Sequence, residues 1–441
     1  MSTATNSFHF LSLPETQTRD FRFIPFALVL CYILTLIFAE FYFGSYSAIG
    51  NYFAIHPLPD VSGRRAYFID LKVLLCGIDA VRRNGNPYIA LSHPPLYPCL
   101  VYGRPSFNYP YIWGSFAPLS FITEPNALYI GIALALSFFG FLYFFLGRIN
   151  LSAAIVYTTL FISPAVMLGV ERGNSDLIIF LLFLVPVFYH SSQKLLAFIV
   201  LLAGMLKLFP IAAITGIFYR LRDNKKQSLV LFFGVALTFL FYLILMRDNI
   251  SMVSQTTPRP YGDGCVCYGL GSLMSFFGDY FPYGRPYIRV AYPALIVLGY
   301  AVFYQLMGKQ LGTTAKISTN KHGLSFIVGS SIFILTCLIG YNFEYRLVFL
   351  LLTIPQILTW ISEKKSLLFV PLFLSILILW QSFVDMIVTQ LPFNLHYFSI
   401  SQVFVALLFY CHFAILFGFV KETAGEIVPM ISTRLVASRL R

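Results

Sequence analysis

Charged residues interrupt the apolar sequence at three places where a chemical site could form. Residues 171–176, with the sequence ERGNSD, join two apolar stretches, and residues 342–346, NFEYR, join two others. A third place, KLFP at residues 207–210, lies inside an apolar stretch. Charges at membrane depth are costly unless protein or water surrounds them. Arginine binds phosphate through paired hydrogen bonds and lysine acts as a point charge. Together with carboxylates, such cations suit a substrate with a phosphate and several hydroxyls.

The candidate phosphate-binding residues are Arg172, Lys207 and Arg346. Further polar residues are candidates for substrate binding: Glu171, Asn174, Asp176, Arg104, Asn108, Tyr109 and Glu344. Each of these residues could have a structural role instead of a binding role, because neighbouring charges can pair locally and a lysine can reach lipid headgroups with its long stem. The predicted placement of all three cations on one side of the membrane favours the functional interpretation.

A candidate general base, Asp70, lies in the first long polar insertion. Apolar residues recur there at helical spacing: Phe68, Leu71, Leu75, Ile78 and Val81. This pattern predicts an amphipathic helix on the outer membrane surface. An acidic residue in a first helical turn is also favoured by the helix dipole alone. Asp60 and Asp79 compete for the same role.

The composition is that of a membrane protein. Of 441 residues 58% are hydrophobic and 11% are charged, whereas soluble domains carry about a quarter charged residues. The sequence predicts an all-α fold, a polytopic transmembrane helical bundle of about 10–13 membrane segments. The predicted spans lie near 24–43, 127–146, 151–169, 176–190, 195–219, 227–246, 288–307, 323–340, 346–361, 367–388 and 399–419, with 111–122 half-inserted. The net charge of +12 reflects Lys and Arg between apolar runs, so nucleic acid is not an expected partner.

Basic residues in the short connections predict the orientation. All of them face the cytoplasm if 195–219 is a hairpin that enters the membrane and returns, broken at Lys207–Pro210. We therefore expect a cytoplasmic N-terminal tail at 1–23, one transmembrane domain at 24–420, and a basic cytoplasmic tail at 421–441. The domain would carry extracytoplasmic loops at 44–126 and 247–287. The expected location is the cell (inner) membrane, with the candidate site on the extracytoplasmic side.

Several functional classes lack their sequence signatures. The chain contains no GxxxxGK[ST], HExxH or GxSxG motif, which gives no support to ATP-driven transport, zinc proteolysis or serine hydrolysis. We expect neither a metal nor an organic cofactor. The seven cysteines form no pair of CxxC motifs. Cys265 and Cys267 lie in a predicted external loop, where two free thiols or a pairing with Cys99 are both open.

Short motifs carry a family resemblance. They are DLKV at 70–73 through GNPY at 85–88, NYP at 108–110, ERGNSD at 171–176 and KLFP at 207–210. With them the chain resembles the GT-C integral membrane glycosyltransferases. It is most similar to glycosyltransferase family 87, the polyprenyl-phosphate-sugar-dependent, mannosyltransferase-like group. Residues 342–355 resemble segments of uncharacterised bacterial members of the broader group.

The resemblance implies a catalytic Asp near the surface helix of the first extracytoplasmic loop, and Asp70 fits that position. It implies transfer of a sugar, with inversion, from a polyprenyl monophosphate at the outer leaflet to a lipid or glycan acceptor. Arg172, Lys207 and Arg346 could then stabilise the departing phosphate without a metal. Many members show Gly-Gln where this chain has Arg172-Gly173-Asn174, which leaves the sugar and the acceptor open.

Other functions remain as alternatives. A transporter or flippase for lipid-linked sugars would also use a basic cavity, although transporters commonly show matching broken helices in two halves, and this sequence has one Lys-Pro break. An O-antigen-type polymerase or ligase usually places its large loop late in the chain. A membrane scaffold would leave the external charges without a role.

Overall fold

The computed structural model describes residues 19–43, 68–90, 107–190, 192–220, 224–257, 267–269, 294, 296–339, 342–389 and 400–439. Most of these residues are helical. The α-helices are Phe23–Phe43, Ile69–Arg82, Pro87–Ala90, Ala127–Leu146, Leu151–Phe161, Pro164–Arg172, Ser175–Phe188, Gln193–Lys207, Lys225–Leu245, Arg247–Thr256, Lys309–Thr314, Lys321–Ile339, Ile354–Ser362, Phe369–Leu379, Gln381–Thr389 and Ile400–Arg439. The 3₁₀ segments are Tyr111–Phe116, Glu124–Asn126, Phe209–Arg220, Glu344–Leu352 and Ser366–Leu368, and Tyr304–Gly308 is π-helical. Arg104, Asp60 and the pairing of Cys99 and Cys265 lie outside the described residues.

The protein is an all-α membrane protein. Within the described ranges, four helices are long and apolar enough to cross a bilayer: Glu124–Leu146, Lys225–Leu245, Lys321–Ile339 and Ser401–Thr423. Two bent pairs raise the number to six, Leu151–Phe161 with Pro164–Arg172 at 55° and Glu344–Leu352 with Ile354–Ser362 at 46°. Each second helix begins with a proline in its first two positions, where the missing N–H costs no helical hydrogen bond.

Three helices run between two distinct ends of the bundle. Lys321, which begins one of them, donates from Nζ to the carbonyl oxygen of Phe145 at 3.0 Å, near the end of another. Its Nζ also lies 5.9 Å from the ring of Phe188, at the end of the third. The amide of Phe21 donates to the carbonyl of Ile149 at 3.1 Å. The basic connections around residues 22, 148 and 321 therefore gather at one end. At the opposite ends, Gly131 of Ala127–Leu146 lies against Phe68 of loop 44–126, Ser175 begins Ser175–Phe188, and Thr336 of Lys321–Ile339 accepts from Asn342.

The break and the chain reversal predicted within 195–219 are present. Its first limb, the helix Gln193–Lys207, ends at Leu208, which has a φ of 61°. The 3₁₀ segment Phe209–Arg220 then runs back, because Gln193 at the start of the first limb donates to the carbonyl of Ile217 near the end of the second at 3.4 Å. We call Gln193–Arg220 the broken hairpin. Its tip holds Lys207.

The predicted amphipathic helix is present as Ile69–Arg82, which we call the loop helix. Eight of its fourteen residues are buried against other parts of the protein. Phe107 lies so close to it that a Cβ on Gly77 would come within 2.1 Å of the Phe107 ring, which explains a glycine inside a helix. The following 3₁₀ segment is tied to the hairpin tip, since the Trp113 indole donates to the carbonyl of Leu206 at 3.0 Å.

Two further segments show secondary structure that the sequence did not predict. In loop 247–287, Cys267–Tyr268 forms a short strand that pairs antiparallel with Asn342–Phe343. The buried Tyr268 hydroxyl donates to Thr336 at 2.8 Å, so this part of the loop is fixed beside residues 342–346. The last helix, Ile400–Arg439, continues past position 420 into the residues predicted as the C-terminal tail.

Candidate functional site

The three charged places and the loop helix meet at the end of the bundle opposite the basic connections. The residues that meet are Asp70, Arg172, Asn174, Asp176, Lys207 and Arg346, which we call the charge cluster. They come from the loop helix, the junction between the helices Pro164–Arg172 and Ser175–Phe188, the tip of the broken hairpin and the start of the segment Glu344–Leu352. With three cations and two carboxylates, the cluster carries one net positive charge.

The turn between Arg172 and Ser175 is built by a glycine and an asparagine. Gly173 closes the helix Pro164–Arg172 with a φ of 58°, a left-handed conformation that glycine adopts without a steric penalty. A Cβ at this glycine would lie 3.0 Å from the ring of Phe68 and 3.1 Å from Cβ of Leu71. The amide of Phe68 donates to the carbonyl of Glu171 at 2.9 Å. The missing side chain thus lets the loop helix pack directly onto the turn.

Asp70 presents a partly exposed carboxylate with one oxygen held. Its Oδ2 accepts a hydrogen bond from Nδ2 of Asn174 at 2.6 Å. Its Oδ1 lies 3.7 Å from Nη1 of Arg172, and the two side chains are 18% and 17% exposed. The carbonyl of Asp70 accepts from the Tyr109 hydroxyl at 3.4 Å. Burial raises the pKa of the Tyr109 phenol well above its ordinary value and the charge of Asp70 adds to the rise, so the phenol stays a donor.

Asp79, a competing candidate, is occupied in a different way. It lies nine residues from Asp70, on the opposite face of the loop helix. Its Oδ1 pairs with Arg82 and its Oδ2 accepts from the amide of Glu124 at 3.0 Å. Arg82 in turn donates to three backbone carbonyls between residues 117 and 122. This pair fixes the loop, so Asp79 is less available for chemistry than Asp70, the other candidate base.

Lys207 is enclosed by acceptors and aromatic rings. Its Nζ lies 3.0 Å from Oδ1 of Asn174, 2.9 Å from Oγ of Ser175 and 2.6 Å from Oδ1 of Asp176. Asn174 and Ser175 accept hydrogen bonds from the ammonium, and the carboxylate of Asp176 forms a close ion pair with it. The Tyr109 and Tyr345 rings flank the ammonium at 5.7 and 5.8 Å. Lys207 is 10% exposed and Asp176 1%, so this is a buried ion pair.

The two arginines are the more accessible cations. Arg346 lies with Nε 3.8 Å from Oδ2 of Asp176 and is 20% exposed. It donates to Asn342, and its guanidinium lies 5.1 Å from the ring of Phe209. Arg172 lies 6.0 Å from the ring of Phe343. Both arginines therefore pack against aromatic rings, and both side chains stay partly exposed.

The remaining candidates surround the charge cluster. Glu171 has a buried Oε2 without a hydrogen-bond partner among the described residues. Glu344 is buried and accepts from the Ser382 hydroxyl at 2.5 Å, which directs it toward the helix Gln381–Thr389. Asn108 is half-buried beside Tyr109. Arg104 lies outside the described residues.

Sequence reasoning missed two polar contacts, those of Ser175 with Lys207 and of Asn342 with Arg346. Both residues lie inside the charged motifs at 171–176 and 342–346. The available signal was therefore their position next to charged residues at the end of a span.

In the part of the chain that the structure describes, no group of three His, Cys, Asp or Glu residues could hold a metal ion. Comparisons with protein-family models, with curated proteins and with solved structures find no match to this chain. The resemblance to GT-C glycosyltransferases stays a prediction that rests on the sequence motifs.

Proposed function

We propose that this chain is an integral membrane glycosyltransferase. It would move a hexose or pentose, with a mannose-like sugar favoured, from a polyprenyl-phosphate carrier to a lipid or glycan acceptor. The observation that carries the proposal is the carboxylate of Asp70, partly exposed, held at Oδ2 and 3.7 Å from Arg172 in a cluster of net positive charge. A base next to phosphate-binding cations is the combination that inverting transfer from a phosphate donor requires.

Three residues of the charge cluster, Asp70, Arg172 and Arg346, have direct roles in the proposed reaction. Asp70 takes the proton of the acceptor hydroxyl. The hydroxyl oxygen bonds to the anomeric carbon as the bond from that carbon to the phosphate oxygen breaks. The phosphate leaves with the electron pair, and Arg172 and Arg346 stabilise its charge. Lys207 already makes two hydrogen bonds and an ion pair, so a direct contact with the phosphate would need one of these partners to be exchanged.

The proposed orientation follows from the two ends of the bundle. The basic connections gather at the end opposite the charge cluster. Under the positive-inside rule that basic end faces the cytoplasm. Asp70 then works at the outer leaflet of a multi-pass protein, where it would meet the polyprenyl-phosphate donor, the acceptor and the surrounding membrane lipids.

The test is sugar transfer by the purified protein in lipid. Polyprenyl-phosphate mannose, glucose and arabinose are offered with a mixed acceptor pool, and the wild type is compared with Asp70→Asn. The control is Asp248→Asn, at a side chain that is 91% exposed and paired with the adjacent Arg247. We expect Asp70→Asn to lose roughly 10²–10⁴-fold in rate, the control to match the wild type, and both to keep the wild-type melting temperature.

Two outcomes would change the proposal. If a folded Asp70→Asn variant still transfers sugar, the glycosyltransferase proposal stands but the general base is another carboxylate, and Glu171 is the next candidate. A wild type that consumes none of the donors, while labelled lipid-linked sugar crosses the bilayer in a protein-dependent way, would replace the transferase with a flippase.

A further inference from the structure

The carboxamide of Asn174 joins three groups of the charge cluster at once. Its Nδ2 donates to Oδ2 of Asp70 at 2.6 Å. Its Oδ1 accepts from the ammonium of Lys207 at 3.0 Å and from the backbone amide of Asp176 at 2.9 Å, the bond that caps the helix Ser175–Phe188. Asn174 itself is 1% exposed. A substrate therefore has little access to this side chain, which was a sequence-based candidate for substrate binding.

The partners of Asn174 fix the orientation of its amide. An ammonium and a backbone N–H are donors only, so both require the amide oxygen. An ionised carboxylate is an acceptor only, so Asp70 requires the amide nitrogen. A flipped amide would place two donors against a nitrogen and an oxygen against a carboxylate. The ammonium also polarises the amide, which strengthens the hydrogen bond that its nitrogen donates.

The two carboxylate oxygens of Asp70 consequently differ in their hydrogen bonding. Oδ2 is occupied by the amide of Asn174. Oδ1 lies 3.7 Å from Arg172, which exceeds hydrogen-bond distance. Oδ1 is therefore the oxygen better able to receive a proton, and the hydrogen bond at Oδ2 fixes the direction in which it points.

We propose that Asn174 is a positioning residue for Asp70. Pinned by Lys207 and by the start of the helix Ser175–Phe188, it holds Oδ2 and directs Oδ1 toward the acceptor hydroxyl. The proton moves from that hydroxyl to Oδ1, and Asn174 itself gains and loses none. This inference rests on the proposed function, because it assigns a direction to the base of that reaction.

The decisive variant is Asn174→Asp. It keeps an oxygen for Lys207 and for the helix cap, because aspartate is also a good N-cap residue. It replaces the donor that faces Asp70 with a second carboxylate oxygen. We expect kcat to fall by roughly 10²-fold, as for a misplaced catalytic group, while KM for the donor stays at the wild-type value.

The matched control is Asn150→Asp. Asn150 also caps a helix, where its Oδ1 accepts from the amide of Ala153 at 2.9 Å. The chemical change is the same and Asp70 is untouched. We expect wild-type kcat and KM for this control.

A reciprocal exchange tests the contact without relying on activity. Asn174→Asp alone sets two carboxylates against each other and should lower the melting temperature. Combining it with Asp70→Asn restores one amide and one carboxylate at the same contact, so the melting temperature should return toward that of the wild type. Transfer should stay absent in the double variant, because the carboxylate then lies in the helix cap.

The outcomes separate this inference from the proposed function. No transfer by the wild type would overturn both, although the melting temperatures would still report whether the contact exists. An active wild type together with an Asn174→Asp variant of unchanged kcat would overturn the inference alone. A raised KM with unchanged kcat would assign Asn174 to substrate binding instead. Failure of the double variant to regain its melting temperature would mean that the two side chains are not in contact.

Discussion

Replacing Lys207 with methionine, which has a similar length and no charge, should destabilise the protein by about 3–5 kcal/mol. The variant would leave the carboxylate of Asp176, 1% exposed, without the ammonium that lies 2.6 Å away. Asn174 and Ser175 would lose the same donor. The nearest remaining cation is that of Arg346, whose Nε lies 3.8 Å from the other carboxylate oxygen.

The burial of both partners decides the magnitude. Ion pairs on protein surfaces contribute about 0–1 kcal/mol, because water solvates the separated charges well. Removing one partner of a buried pair costs about 3–5 kcal/mol, since the other charge stays desolvated. Lys207 is only 10% exposed, so its pair with Asp176 belongs to the second class. Partial compensation by Arg346 favours the lower end of the range.

The measurement is equilibrium unfolding of the purified protein in detergent, with a surface pair as the control. Lys365→Met removes an ammonium 2.5 Å from Glu363, which is 50% exposed, and should cost about 0–1 kcal/mol. The double variant Lys207→Met with Asp176→Asn should recover most of the loss, because it removes the isolated charge. A loss for Lys207→Met no larger than that of the control would refute the assignment of a buried pair, and so would a double variant as unstable as the single one.

Two further changes test how the site is positioned. Gly173→Ala should cost about 1–2 kcal/mol of stability because alanine disfavours the left-handed backbone. The new Cβ would also approach the Phe68 ring to 3.0 Å, which adds to the cost. A melting temperature equal to that of the wild type would contradict the turn geometry. Arg82→Gln should release the loop at residues 117–122 and speed its cleavage in limited proteolysis, because three carbonyls lose their donor. Arg83 is an exposed neighbour, and Arg83→Gln should leave cleavage unchanged. Equal cleavage of both variants would argue against a role of Arg82 in holding residues 117–122.

Local features of the sequence predicted several elements correctly. The spacing of apolar residues predicts the loop helix to within a residue or two of Ile69–Arg82. The Lys-Leu-Phe-Pro sequence predicts the break in the hairpin, because proline removes a backbone donor and lysine is costly in lipid. Both predictions depend on residues that are close together in the chain, which is why spacing alone was sufficient.

The contacts within the charge cluster depend on residues far apart in sequence. Asp70 and Asn174 are 104 positions apart, and no periodicity links them. The strand pairing of Cys267–Tyr268 with Asn342–Phe343 likewise joins two separate loops. The motif at 171–176 indicated which residues belong to the charge cluster. It could not show that Asn174 contacts a carboxylate and an ammonium together. That arrangement follows from Gly173, whose missing side chain lets the loop helix approach.

The energetics of the charge cluster point to a purpose other than stability. Replacing a buried ion pair with apolar side chains of similar volume is often neutral or stabilising. The ion pair of Lys207 with Asp176, whose side chain is 1% exposed, would therefore add little to the stability of the fold. The pair does have a geometric consequence, because the same ammonium holds the oxygen of Asn174, whose nitrogen holds Asp70. The buried charges thereby help to orient the partly exposed carboxylate beside Arg172. Recovery of stability in the double variant of Lys207 and Asp176, without recovery of transfer, would be the expected signature of that arrangement.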